Sequence, residues 1–138
     1  MPKKLLLDGT FLIDLRKEFD RRKESGPATR FAQTHAARAV VSVVSVAEFL
    51  EGQTHAAESM RWLRRFGSAL EITQAVALVA GALQRRLATQ GRRLGENDAW
   101  QAALCLHHDL SIVSRDDRFS HVPRLRALHH AAAGAKRR

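Results

Sequence analysis

The sequence contains one cysteine, Cys105, and no apolar stretch that approaches the roughly 18 residues of a membrane-spanning helix. A single cysteine excludes both an intrachain disulfide and a zinc site built from several cysteines, which is typical of proteins in a reducing cytosol. The three leucines near the start are too few for the apolar core of a secretory signal peptide. We therefore expect a cytoplasmic protein that does not contact a membrane.

Short motifs that mark several other enzyme classes are missing as well. Neither a GxGxxG nor a GxxxxGKS/T pattern occurs, so a phosphate-binding loop has no support. The seven histidines form no HExxH pair and no His/Cys spacing of a zinc site. We expect these histidines to occupy ordinary polar positions.

Acidic residues are scarce, with 14 Asp and Glu against 23 Lys and Arg, and the formal net charge is +9. A protein with this charge attracts polyanions, of which nucleic acid is the commonest in a cell. An acidic protein could be bound in the same way. A length of 138 residues favours one domain. We expect that domain to cover residues 1–130 and to be followed by a flexible basic tail over 131–138.

Strand-like and helix-like patterns alternate along the chain. Strands are predicted at 3–8, 38–46, 69–72, 110–117 and 123–128, and helices at 9–22, 29–37, 45–52, 55–67, 74–91 and 96–108. The helix at 9–22 is predicted from Phe11, Leu12, Leu15 and Phe19, which share one face. This alternation is typical of an α/β domain with a mainly parallel sheet and helices on both faces.

Four acids stand where such a fold forms its sites. Asp8 and Asp116 end predicted strands, whereas Glu48 and Asp98 lie near the starts of predicted helices. In open parallel sheets, the ends of strands and the starts of the following helices lie at one edge, where ligands bind. We therefore expect the four carboxylates to converge, although they span more than half of the sequence.

Converging carboxylates need a counter-charge. Two carboxylates 4 Å apart repel by roughly 4 kcal/mol at an effective dielectric constant of 20. The repulsion is relieved by raised pKa values or by a bound cation. Sites built only from carboxylates suit hard cations, chiefly Mg²⁺ or Mn²⁺. Such an ion can activate a water molecule and stabilise the charge that develops on a phosphate.

Each acid also has a purely structural explanation. Ser45 and Glu48 fit a capping box, and Asp98 in a first helical turn is favoured by the helix dipole. Asp8 fits a turn or an N-cap, and Asp116 fits a polar turn. A capping role does not exclude metal binding, so the joint placement of the acids is what favours a site.

Four segments around these acids resemble the PIN-domain ribonucleases, and most of all the VapC-type toxins of bacterial toxin–antitoxin pairs. In chain order they read LLLDGTFLIDL, VVSVVSVAEFLEG, GENDAWQAA and LSIVSRDDRFSHVPRL. Together they extend from near the first residue to about residue 125. The resemblance implies a PIN-like three-layer α/β/α sandwich with a mainly parallel sheet of four or five strands.

The resemblance also implies an activity, a Mg²⁺- or Mn²⁺-dependent endoribonuclease. Asp8, Glu48, Asp98 and Asp116 would form the catalytic, metal-binding cluster, with Asp8 and Asp98 as the principal ligands. Ser114 would steady the site through its hydroxyl group. The last motif offers two adjacent acids, so Asp117 is an alternative to Asp116 as the fourth member.

The partners implied by the resemblance are an RNA substrate, a cognate antitoxin that blocks the cleft with a peptide segment, and a second copy of the chain in a homodimer. Two other functions remain open from the sequence. One is a housekeeping RNA-processing nuclease of the same family, and the other is a non-catalytic module that binds RNA or an acidic protein through its basic surface.

Overall fold

Four parallel strands form the sheet in the computed structural model, which describes residues 3–22 and 26–130. They are β1 (Leu5–Leu7), β2 (Ala39–Val40), β3 (Ser111–Ser114) and β4 (Ala127–His129), in the spatial order β2-β1-β3-β4. The predicted α/β/α fold with a parallel sheet is confirmed. The predicted basic tail, 131–138, lies outside the described residues.

Six α-helices are present in the described part of the chain. They are α1 (Gly9–Asp20), α2 (Pro27–His35), α3 (Val43–Glu51), α4 (Ala56–Leu63), α5 (Gln74–Ala88) and α6 (Glu96–His108). Short 3₁₀ turns at Ala36–Arg38 and Arg64–Phe66 follow α2 and α4. None of these helices combines the length and the apolar character that crossing a bilayer requires.

The core lies on both faces of β1 and β3. Leu6 and Ile112 pack against α5 and α6, whereas Leu5, Leu7 and Val113 pack against α1, α3 and α4. A strand that is covered on both faces reads as an uninterrupted apolar run, which explains the three consecutive leucines of β1. Because β1 and β3 are parallel neighbours, their carboxyl ends lie together at one edge of the sandwich.

The predicted strand at 38–46 is wrong over most of its length. Only Ala39–Val40 is a strand, and the valines from Val43 onward belong to α3. Ser42 caps this helix, since its Oγ accepts a hydrogen bond from the backbone N–H of Ser45 at 3.0 Å. The cap and the burial of Val44 outweigh the β-propensity of the valine run, because that propensity depends strongly on context.

Several other predicted boundaries also needed correction. The strand expected at 69–72 is reduced to one isolated bridge between Ser42 and Leu70. The strand expected at 123–128 is displaced toward the C-terminus and forms β4 at the edge of the sheet. Phe19 is 53% exposed, although it shares the helical spacing of the buried residues of α1. It lines a surface groove, so its ring is open to solvent on that side.

Candidate active site

Asp8 lies directly after β1, where the chain turns into α1, and it is 2% exposed. Its backbone N–H donates to the carbonyl of Val113, which ties it to β3 at 2.9 Å. Its side chain does not cap α1. Instead, Oδ2 accepts hydrogen bonds from Thr10 Oγ1 at 3.0 Å and from Ser114 Oγ at 2.9 Å. The carboxylate is therefore held between the first turn of α1 and the end of β3.

Gln101 of α6 supports Asp8 from the other side and is fully buried. Its Nε2 donates to Ser45 Oγ at 2.7 Å and, more weakly, to Asp8 Oδ1 at 3.4 Å. Its Oε1 accepts from Ser42 Oγ at 2.6 Å. Ser45 Oγ in turn donates to the carbonyl of Leu7 at 2.6 Å. This buried network connects α3 and α6 to the end of β1 and fixes the position of the carboxylate.

Glu48 is not part of the predicted capping box. Ser42, not Ser45, is the N-cap of α3, and Glu48 lies in the middle of that helix. Asn97 Nδ2 donates to its Oε2 at 3.5 Å, whereas its Oε1 is buried without a hydrogen-bond partner. A Cβ on Gly9 would come within 2.7 Å of Oε1 and also within 2.7 Å of the Cβ of Glu48, so only glycine fits beneath this side chain.

The electrostatic surroundings show that Glu48 lies among other acids. Burial and the negative charge of Asp8 raise its pKa from 4.5 to about 7, and Asp98 adds to the increase. The hydrogen bond from Asn97 and the positive charge of Arg118 oppose this change. A carboxyl group whose pKa is raised partly by neighbouring acids is a common property of functional sites.

Asp98 lies in the first turn of α6, as predicted, and its side chain is 8% exposed. Burial raises its pKa, the charges of Asp8 and Asp116 raise it further, and Arg118 lowers it. Its Oδ2 forms an ion pair with Arg118 Nη1 at 3.2 Å. Asp8, Glu48 and Asp98 therefore act on one another electrostatically, although they come from three separate parts of the sequence.

The loop after β3 provides the fourth acid. The backbone N–H of Asp116 donates to Ser114 Oγ at 3.0 Å, and its carboxylate forms an ion pair with Arg118, which also holds Asp98. Asp117 is exposed, and its carbonyl accepts hydrogen bonds from Ser120 in the following turn. Of the two adjacent acids, the geometry therefore favours Asp116.

Whether these residues fit a divalent cation depends on their spacing and on their donor atoms. Within residues 3–22 and 26–130, no three His, Cys, Asp or Glu side chains are close enough to hold an ion as they stand. Arg118 lies between two of the acids instead. However, the donors are all carboxylates, as a hard cation requires, and the unpaired Oε1 of Glu48 is a free ligand atom. The chemistry of this donor set therefore fits Mg²⁺ or Mn²⁺, but the side chains would have to move closer together to hold an ion.

Several residues of this site are not predicted from the sequence. Thr10, Asn97, Gln101 and Arg118 all contact one of the four acids. Gln101 follows Asp98 by three positions, so helical spacing places both on one face and could have identified it. Arg118 gave no such signal, because the sequence contains many arginines and a loop has no periodicity.

The raised pKa of Glu48 predicts how stability depends on pH when divalent ions are removed. The unfolded chain ionises Glu48 near pH 4.5, whereas the folded protein retains the proton until about pH 7. The unfolded state therefore binds fewer protons between these values, and the free energy of unfolding falls as the pH rises. For Glu48→Gln this loss is absent. We expect the variant to match the wild type near pH 4.5 and to exceed it by about 1–2 kcal/mol at pH 8, allowing for solvent screening.

Urea unfolding in the presence of a chelator measures this difference. Glu51→Gln is the matched control, because Glu51 ends the same helix and is exposed. A Glu48→Gln difference that stays constant from pH 4.5 to 8, or that equals the Glu51→Gln difference, would contradict the coupling among the acids.

The chain matches the model of a known protein family. The family model described as PIN domain matches residues 5–125 of the chain. This range contains all four acids together with the strands and helices that position them. No curated protein sequence is significantly similar to the chain.

Several solved structures share the fold at low sequence identity. DNA-bound VapBC from Salmonella typhimurium is 19% identical with a TM-score of 0.74, over 91% of this chain and 97% of that chain. FitAcB from Neisseria gonorrhoeae is 16% identical with a TM-score of 0.70, over 91% and 97%. A toxin–antitoxin complex from Klebsiella pneumoniae is 22% identical with a TM-score of 0.70, over 87% and 93%. At these identities the similarity is one of fold.

Proposed function

Since the chain belongs to the PIN-domain family, we propose that it is a Mg²⁺- or Mn²⁺-dependent endoribonuclease that acts as the toxin of a toxin–antitoxin pair. The observation that carries this proposal is the mutual electrostatic coupling of Asp8, Glu48 and Asp98 at one edge of the sheet. Several carboxylates placed together destabilise the metal-free protein, because their negative charges repel one another. Such an arrangement is therefore expected where the acids share a function such as binding a cation.

The proposed roles follow from the contacts of each residue. Asp8 and Asp98 would be the principal metal ligands, since both are buried. Asp8 follows β1, and Asp98 lies in the first turn of α6. Asp116 would complete the cluster from the loop after β3. Glu48 would contribute its unpaired Oε1, either to the ion or to the attacking water. Ser114 would hold Asp8 in place through their 2.9 Å hydrogen bond.

A divalent ion bound there would supply a water molecule of lowered pKa and would stabilise negative charge on the phosphate. The chain itself provides the surface that receives the RNA backbone. Beside Asp98 lies a cleft of about 270 Å³ whose lining includes Arg92, Arg93, Arg118 and His121. Its cationic side chains would bind neighbouring phosphates and orient the strand across the carboxylates.

A cleavage assay tests the proposed activity. Purified protein is expected to cut RNA when Mg²⁺ or Mn²⁺ is present and to stop when a chelator is added. Expression in a bacterial host is expected to arrest growth, and co-expression of the antitoxin should relieve the arrest. RNA binding without metal-dependent cleavage would contradict the proposal and would favour a non-catalytic binding module, whereas cleavage without growth arrest would favour an RNA-processing nuclease.

The proposed antitoxin has a suitable surface on the α1–α2 side of the fold. An apolar groove of about 520 Å³ lies there, and Phe19, Phe31, Trp62 and Phe66 contribute to its lining. Exposed apolar surface of this kind is typical of protein interfaces. Arg22 and Arg65 also line the groove, so a partner segment with apolar anchors and acidic flanks would fit. The structure from Klebsiella pneumoniae that is similar in fold is named as a toxin–antitoxin complex, which supports an antitoxin as the partner.

Phe19→Asp tests the groove as the antitoxin-binding surface. The side chain is 53% exposed, so the substitution should spare the fold, but it places a charge among apolar contacts. We expect antitoxin affinity to fall by roughly 100-fold, as for other aromatic anchors of interfaces. RNA cleavage by the free protein should not change.

Leu78→Asp is the matched control for this experiment. Leu78 is an exposed apolar residue on α5, it is 72% exposed, and it does not line the groove. Equal losses of antitoxin affinity in the two variants, measured by calorimetry, would contradict the groove assignment. Whether the chain is a homodimer stays a prediction, which sedimentation equilibrium tests.

A further inference from the structure

Arg118 bridges two acids that arrive from different parts of the fold. Nη1 lies 3.2 Å from Asp98 Oδ2, and Nη2 pairs with Asp116 Oδ2. The arginine side chain is 55% exposed, whereas the side chains of Asp98 and Asp116 are 8% and 34% exposed. The guanidinium group therefore lies between one carboxylate from α6 and one from the loop after β3.

The effect of Arg118 extends beyond its two direct partners. Its charge also interacts with Asp8 and Glu48, so it is a counter-ion of all four acids. The nearby Arg115 does not share this role, because its guanidinium pairs with Asp14 at 2.7 Å. Among the described residues, Arg118 alone forms an ion pair with any of the four acids.

The backbone on both sides of Arg118 is held in place, whereas its side chain is 55% exposed. The backbone N–H of Asp116 donates to Ser114 Oγ, and Phe119, the residue immediately after Arg118, is fully buried in the core. The long side chain between these anchors also lines the cleft of Arg92, Arg93 and His121. A guanidinium group released from the acids would therefore enter a cleft that suits phosphate, the anion that its planar geometry binds best.

We propose that Arg118 is a built-in competitor of the metal ion: it occupies the space between Asp98 and Asp116 when no divalent ion is bound, and it must leave for the ion to enter. This inference rests on the proposed function for the identity of the ion. The space between Asp98 and Asp116 is then free of Arg118 in only a fraction of the molecules, and the apparent metal affinity is reduced by that fraction. Removal of the guanidinium group abolishes the competition.

Calorimetric titration with Mn²⁺ in the absence of RNA tests the proposal, so the readout does not depend on catalysis. Arg118→Gln is expected to bind Mn²⁺ about tenfold more tightly than the wild type. The matched control is Arg93→Gln, which removes the same charge from the same cleft but leaves the ion pairs with Asp98 and Asp116 in place. Its affinity is expected to change by less than about threefold, as for a screened surface charge.

Thermal unfolding gives a second measure of the same competition. Without metal, Arg118→Gln leaves Asp98 and Asp116 without their counter-ion, so its melting temperature should fall below that of Arg93→Gln. Addition of Mn²⁺ should then raise the melting temperature of Arg118→Gln by more than that of the wild type.

The outcomes separate this inference from the proposed function. Equal Mn²⁺ affinities of Arg118→Gln and Arg93→Gln, with binding that Asp98→Asn abolishes, would overturn the role of Arg118 and leave the metal site intact. Mn²⁺ affinity that Asp98→Asn does not reduce, or an absence of Mn²⁺ binding in both the wild type and Arg118→Gln, would overturn the proposed function and this inference with it. Tighter binding by Arg118→Gln alone supports both.

Discussion

Asp98→Asn is expected to lower metal-dependent RNA cleavage by roughly 100-fold or more, a loss typical of removing one essential electrostatic contact from an active site. Asparagine has nearly the same shape as aspartate but carries no charge. The side chain is 8% exposed and interacts electrostatically with Asp8 and Asp116, so the substitution removes one charge from within the group of acids. Initial rates of RNA cleavage at saturating Mn²⁺ measure the effect.

Stability should change in the opposite direction or not at all. Burial and the neighbouring acids raise the pKa of Asp98, so its ionised form is disfavoured in the folded protein. A neutral residue removes this penalty, and metal-free Asp98→Asn should be at least as stable as the wild type near pH 8. Loss of activity in an Asp98→Asn variant that is as stable as the wild type would identify Asp98 as a functional residue.

Glu96→Gln is the matched control, because Glu96 lies in the same first turn of α6 but is exposed. If the acids of this turn only serve the helix dipole, both variants should lose a little stability and neither should lose activity. Cleavage by Asp98→Asn at the wild-type rate would therefore contradict the proposed site.

Gln101→Leu is the second substitution with a large expected effect. The leucine fills the space but leaves Ser42, Ser45 and Asp8 without the amide group that connects them. Unpaired buried polar groups cost about 1–3 kcal/mol each, so the free energy of unfolding should fall by about 3 kcal/mol. Because Asp8 also loses a support, RNA cleavage per folded molecule should fall by roughly 10- to 100-fold.

Gln53→Leu separates the two consequences. Gln53 Oε1 accepts a hydrogen bond from the buried Ser59, but this pair does not contact the four acids. The control should therefore lose stability, by about 1 kcal/mol, without losing cleavage activity. If Gln101→Leu reduced stability but kept the wild-type rate under conditions where it is folded, Gln101 would be a structural residue only.

The sequence predicts those parts of the fold in which pattern and environment agree. The strand formed by the run of leucines and the long helix α5 are both where the sequence pattern predicts them, because burial decides both. The valines at 43–46 were assigned to the wrong element, because the cap at Ser42 and packing against the sheet outweigh residue preference. The edge strand Ala127–His129 is predicted only approximately, at 123–128, because so short a strand has too few residues for a periodicity to fix its ends.

The same division applies to the candidate site. Asp8 and Asp98 could be identified because strand ends and helix starts meet at one edge of a parallel sheet. Glu48 was identified together with a capping role for Ser45, and the structure assigns that role to Ser42. Arg118 could not be identified, since its ion pairs join a loop to a helix and depend on the tertiary fold.

The central claim is that the fold gathers Asp8, Glu48, Asp98 and Asp116 into one pocket that takes up a divalent ion. Paramagnetic broadening by Mn²⁺ tests it most directly, because the effect on amide resonances decreases steeply with distance from the ion. We expect substoichiometric Mn²⁺ to broaden the amides around these four residues first, and Asp98→Asn to weaken the effect greatly. Broadening that is centred elsewhere, or that spreads evenly over the surface and survives Asp98→Asn, would show that the four acids do not form the metal site.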